Sequence, residues 1–104
     1  MKHTVTLVTC PTAAVAKRIA RALVDEKLAA CVNIVPRIVS IYRWGGRRRE
    51  EAETLLVIKS GAARTKALTK RVKEMHPYDV PEVLQLPIVS GTREYLRWID
   101  EGTR

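Results

Sequence analysis

Residues 29–59 read AACVNIVPRIVSIYRWGGRRREEAETLLVIK, and the parsing of this stretch decides the fold. Ala29 to Tyr42 is rich in valine and isoleucine and has the pattern of an unusually long strand. Trp44-Gly45-Gly46-Arg47 is a turn, because paired glycines tolerate the positive φ that tight hairpins demand. Glu53 to Lys59, centred on TLLVIK, returns as a second strand. The expectation is a long β-hairpin. Pro36 has no amide hydrogen to donate, so the outgoing strand runs at a sheet edge there or carries a bulge. A hairpin this long cannot bury its tip against a small domain, so the tip either stands in water or packs on another subunit.

Upstream, residues 3 to 9 alternate, with Val5 and Leu7 on one side and Thr4, Thr6 and Val8 on the other, which is a strand signal. Pro11 and Thr12 end it, Thr12 as a helix cap. Ala16, Ile19, Ala20, Leu23 and Val24 then recur at spacings of three and four, an apolar stripe on a helix ending near Lys27 or Leu28. Downstream, Ser60-Gly61 is read as the end of the return strand, followed by a helix over 62–75 buried through Leu68, Val72 and Met75. His76-Pro77-Tyr78-Asp79-Val80-Pro81 is a loop stiffened by two prolines. Val83, Leu84, Leu86 and Ile88 form a fourth strand that Pro87 confines to an edge or a bulge. Thr92 to Glu101 is a short last helix packed through Leu96 and Ile99 and stopped by Gly102. The order β-α-β-β-α-β plus a C-terminal helix is the split βαβ arrangement of the α+β class, an antiparallel sheet with two helices on one face. Apolar residues on both sides of the strands leave the second face to be covered by self-association.

The 104 residues fit a single domain over 1–104. With 46% hydrophobic and 29% charged residues the chain is globular in composition, not disordered. No apolar run reaches the length of a membrane span, and the start MKHTVTLVTCP lacks the pattern of a secretion signal, so no membrane partner and a cytoplasmic location are expected. Net charge is +8. It gathers at Arg43, Arg47, Arg48 and Arg49, next to Glu50, Glu51 and Glu53, and along a helix at Arg64, Lys66, Lys70, Arg71 and Lys73. Interleaved acids and a helical spread describe a solvated basic surface better than a nucleic-acid site, and nucleic acid is not the expected partner.

Candidates for chemistry are few. Cys10 stands at a strand end just before a helix start, and with His76 it could bind a soft metal; a buried thiol and a loop histidine bonded to the backbone are the competing readings. Cys31, between Ala30 and Val32, is expected in the core. Zinc-pair, metalloprotease-helix, dinucleotide and phosphate-loop signatures are absent, and no organic cofactor or enzymatic turnover is expected. The three glutamates are read as a charged strand edge, Lys59 as an ion-pair partner of a nearby glutamate, and Tyr42 and Trp44 as packing at a subunit interface.

Several segments together resemble the CutA divalent-cation-tolerance family: Thr9-Cys10-Pro11, Leu28-Ala29-Ala30-Cys31-Val32-Asn33-Ile34, Ser40-Ile41-Tyr42-Arg43-Trp44, Gly46, Glu53, Ile58-Lys59, His76-Pro77-Tyr78 and Pro81-Glu82. The likeness runs from about residue 3 to Ile99. It implies a ferredoxin-like subunit in a homotrimer, with long hairpins pairing between neighbours, a fold similar to the PII signalling proteins, and a link to tolerance of copper and other divalent cations. His76 matches the histidine of the family's HPY motif, a proposed participant in Cu(II) binding, while Met75 stands where some members have a second histidine. Tyr42, Trp44, Glu53, Lys59 and Tyr78 match recurring residues around an inter-subunit cleft, and Arg47 stands where lysine is usual. The implied function is a trimeric metal-binding protein of cation homeostasis, the alternative a PII-like module binding an anion or a protein in that cleft.

Overall fold

The computed structural model describes residues 2–104. The chain runs β1 (His3–Cys10), α1 (Ala13–Asp25), β2 (Cys31–Trp44), β3 (Arg47–Gly61), one 3-10 turn (Ala62–Arg64), α2 (Thr65–Met75), β4 (Leu84–Pro87) and α3 (Arg93–Gly102). The strands make one antiparallel sheet in the order β2-β3-β1-β4, the ferredoxin-like arrangement with an added C-terminal helix.

Strand alternation sorts the sheet into two faces. Thr4, Thr6, Val8 and Cys10 stand opposite Ser60, Ile58, Leu56 and Thr54, and all eight are buried. Helix α1 covers them with Ala16, Ile19 and Leu23, and α2 with Leu68 and Val72. On the other face Val5 and Leu7 pair with Leu86 and Leu84 of β4, and Leu55 and Val57 lie beside them on β3. Helix α3 reaches that face at one end, where His3 Nε2 meets Asp100 Oδ1 at 2.8 Å and the Tyr95 phenol lies beside Cys31.

Local chemistry sets the boundaries, several of which differ from expectation. Thr12 caps α1, its hydroxyl accepting from the Val15 amide. The helix stops at Asp25 because Lys27 turns left-handed (φ 60°) and the Leu28 amide bonds back to Leu23 O, a Schellman close without its usual glycine. Val24 is consequently exposed rather than part of the buried stripe. Ala29 and Ala30 belong to the loop after α1, and β2 begins at Cys31. Cys31 is half-buried on the face away from the helices, not in the core.

Ser60 and Gly61 do not end β3 but complete it, pairing with Thr4 and His3, and Ser60 Oγ donates to Leu28 O. Gly102 is the last residue of α3 rather than its stop; a Cβ there would lie 2.9 Å from that of Ala30, so glycine permits close approach.

The hairpin is longer on its return side than the apolar pattern indicates. Gly45 and Gly46 have φ of 62° and 73°, as a two-residue I′ turn requires, so pairing starts at once with Trp44↔Arg47. Backbone bonds are indifferent to the charges of residues 47–51. Val35 pairs with Leu55 and Ile38 with Glu53, leaving Pro36 and Arg37 opposite Thr54 alone. This bulge inserts one residue and so exchanges the faces of the outer strand. It turns Tyr42 and Trp44 to the side that Glu53 occupies.

Candidate functional site

The polar residues of interest meet at the foot of the hairpin. Strand β1 ends at Cys10, opposite Thr54, so Glu53 is the first β3 residue beyond its cover. The loop after α2 comes to the same place because His76 is the C-cap of α2, its amide still bonding Val72 O while its own backbone is already extended. His76 is 7% exposed. Its Nε2 lies 2.8 Å from Thr9 O and its Nδ1 accepts from the Tyr78 amide at 3.1 Å. A carbonyl only accepts and an amide N–H only donates, so the ring is the neutral Nε2–H form with both nitrogens engaged.

Tyr78 packs against that ring, centroids 4.7 Å apart, and its phenol donates to Glu53 Oε2 at 2.9 Å. Burial first, and then the glutamate, raise the Tyr78 phenol above its ordinary range. Glu53 is 8% exposed, so it is not part of a solvated edge as Glu50 and Glu51 are. Cys10 is fully buried; burial pushes its thiol up to about 11, and the Glu53 charge adds to this. The thiol is therefore protonated at neutral pH. Tyr42 reaches from β2 and donates to Glu51 Oε1 at 2.7 Å, which raises its phenol.

Cys10, Glu53, His76 and Tyr78 are thus gathered, with Tyr42 at their margin. Trp44 and Arg47 stand at the hairpin tip, and Lys59 lies six residues along β3 from Glu53, about 20 Å away. The Lys59 ammonium donates to Asn33 Oδ1, not to a glutamate as expected. Among the described residues no group of three or more His, Cys, Asp or Glu side chains is arranged to hold a metal ion. With His76 lacking a free lone pair and Cys10 holding its proton, a single chain does not fit a resident metal centre.

Sequence reading missed three partnerships: Tyr42 with Glu51, Lys59 with Asn33, and His3 with Asp100. The first was within reach, since a two-residue Gly-Gly turn fixes Trp44↔Arg47 and with it the diagonal that joins Tyr42 to Glu51. Lys59 meets Asn33 through the register set inside the Pro36-Arg37 bulge, and His3 meets Asp100 through the packing of α3 on the start of β1.

The chain matches the family model described as CutA1 divalent ion tolerance protein over residues 4–102. It is 54% identical over 99 residues to the divalent-cation tolerance protein CutA of Thermus thermophilus, covering 95% of this chain and 96% of that one. It is 49% identical over 96 residues to the human protein CutA, covering 92% of this chain but 54% of that one. Its fold superimposes on the Thermus thermophilus structure with a TM-score of 0.95 at 52% identity, covering 98% and 99% of the two chains. With CutA1 from Oryza sativa the TM-score is 0.97 at 48% identity, covering 100% and 95%. No described helix is long and apolar enough to cross a membrane.

Proposed function

The chain belongs to the CutA1 divalent ion tolerance family, and from that premise we propose that it serves divalent-cation tolerance by binding rather than catalysis, as a homotrimer with its binding clefts between subunits at the foot of each hairpin. The observation that supports this reading is the apolar sheet face opposite the helices. Val5, Leu7, Leu84 and Leu86 lie side by side on it, the two leucines of β4 about half exposed. Beyond it the hairpin carries Val39 and Ile41 on one side and Trp44 on the other, each more than 60% exposed. Apolar surface on this scale marks an interface. A projecting hairpin offered by each copy to the next is a head-to-tail contact, of the kind that builds rings when the rotation closes; three is the number implied by the resemblance.

The first cation to test is Cu(II), with His76 and Cys10 as the first donors to remove. Both cysteines are free thiols, which suits the cytoplasm as the proposed compartment. Light scattering should give three times the chain mass. In a Cu(II) titration at pH 7, saturable binding weakened at least about tenfold by His76→Ala or Cys10→Ala would mean that assembly frees donors which a single chain keeps engaged. Variable stoichiometry indifferent to both substitutions would overturn the metal assignment.

The engaged nitrogens of His76 and the protonated Cys10 favour a second reading, a PII-like cleft that takes a small anion or a protein partner. Its cationic contact would be Arg47 or Lys59, which stand at opposite ends of β3, about 40 Å apart, and so serve different clefts. Saturable binding of a phosphate-bearing anion that survives His76→Ala and fails in Arg47→Ala or Lys59→Ala would select it.

A further inference from the structure

Glu53 and the hairpin tip carry opposite and unmet electrostatic demands. Glu53 is 8% exposed, receives one hydrogen bond, from Tyr78, and forms no ion pair among the described residues. A carboxylate taken out of water without a cation is costly. The neighbouring acid, Glu51, sits two residues away on the same strand face and adds repulsion.

The tip has the converse problem. Arg43 stands directly opposite Arg48, and like charges in register destabilise a hairpin. Arg48 has one ion pair, to Glu50 at 3.9 Å and largely in solvent, and Arg49 Nε donates to Trp44 O. The side chains of Arg43 and Arg47 have no hydrogen-bond or ion-pair partner among the described residues. The tip cannot serve its own foot. Glu53 pairs with Ile38 and Arg47 with Trp44, six residues apart along the ladder, so about 20 Å separates them.

We propose that Glu53 is neutralised by Arg47 of the partner subunit, so that the foot of each hairpin is completed only when the tip of a neighbouring hairpin reaches it. Arg47 is favoured over Arg43 by register. Arg47, Arg49, Glu51 and Glu53 share the face of β3 onto which the bulge turns Tyr42 and Trp44, Arg49 being held on Trp44 O of its own hairpin, whereas Arg43 and Arg48 point to the opposite face. The contact joins tip to foot, once at each junction of a head-to-tail ring or twice across a two-fold axis. Arginine suits the task, because its planar fork can hold the Glu53 carboxylate while Tyr78 keeps its bond to Oε2. This inference rests on the self-association proposed above and names the contact that specifies it.

The test is a double-mutant cycle on the full chain, with Arg47→Ala, Glu53→Gln and the pair, reading subunit dissociation by native mass spectrometry across a dilution series. Each single change should raise the dissociation constant at least about tenfold, and the second change should add little to the first. Arg43→Ala, on the other face, should leave it within about threefold. Glutamine keeps the shape of Glu53, and circular dichroism on each variant confirms the fold. Additive effects of the two changes, or equal effects of Arg43→Ala and Arg47→Ala, would overturn the contact while leaving the assembly standing. A wild-type chain that stays monomeric would overturn both.

Discussion

Strands β2 and β3 form one continuous ladder with two different sources of stability. Inside the Pro36-Arg37 bulge, β3 lies between β2 and β1 under two helices, and Leu56 and Ile58 are fully buried. Beyond the bulge the same strands run on to Gly45-Gly46 with no third strand and no helix among the described residues, and every residue from Ile41 to Ala52 is exposed. A two-stranded ribbon is marginal on its own in water. The foot is held by burial, and the outer hairpin by backbone bonds plus whatever packs on it. The bulge is the border, and it also decides which side chains the outer hairpin presents on the face of Glu53.

If that division is right, substitutions on its two sides should fail differently. Leu56→Ala empties a site with no exposure and should cost about 2–5 kcal/mol, seen as a loss of urea stability independent of protein concentration. Ile41→Ala should change the subunit itself by no more than about 0.5 kcal/mol and act only through assembly, as a loss that grows on dilution. A large concentration-independent loss in Ile41→Ala would erase the distinction.

A smaller effect sharpens the foot. The Cys10 thiol is raised from 9.0 in the unfolded chain to about 11 in the folded one, so above pH 9 the unfolded chain releases this proton first. Stability is therefore flat below about pH 9 on this account and falls as pH rises toward 11. The raised Tyr78 phenol extends the decline to higher pH. Cys10→Val should remove the part that begins near pH 9, as read from urea midpoints at successive pH values. An unchanged slope would place its origin elsewhere.

Thr6→Val tests the same sheet from its centre. Thr6 Oγ1 is the one buried side-chain polar atom without a hydrogen-bond partner among the described residues, so the isosteric valine should stabilise the protein by about 1 kcal/mol. The smallest change concerns the border itself. Arg37 is held at φ 59°, a conformation that glycine adopts without strain. Arg37→Gly should stabilise by about 0.5 kcal/mol after its own entropy cost, and a loss instead would mean that the Arg37 side chain holds the bulge.

Elements with a strong local signature were legible from the residues. Thr12 capped the helix it was expected to cap, the Gly-Gly turn fell in its place, and Pro36 marked a strand that is both bulged and at an edge. Boundaries set by tertiary contact were not legible. Lys27 ends α1 without glycine where β3 holds the next residues, Ser60 Oγ on Leu28 O and Lys59 O on the Ala30 amide, and Ser60-Gly61 looks like a break until Thr4 and His3 lie opposite. At the site, HPY located the loop, and the reading of His76 as a loop histidine bonded to the backbone is the one its two partners, Thr9 O and the Tyr78 amide, bear out. The run of glutamates did not show that Glu53 alone would be buried.

The sequence by itself determined the order of elements, the hairpin and its turn, because apolar period, caps and left-handed glycines act over a few residues. The tertiary structure decided which faces meet, the tautomer of His76, the burial of Glu53 and the protonation of Cys10. Each of those depends on removing water from a group, and water is removed only when segments far apart in the chain close over it.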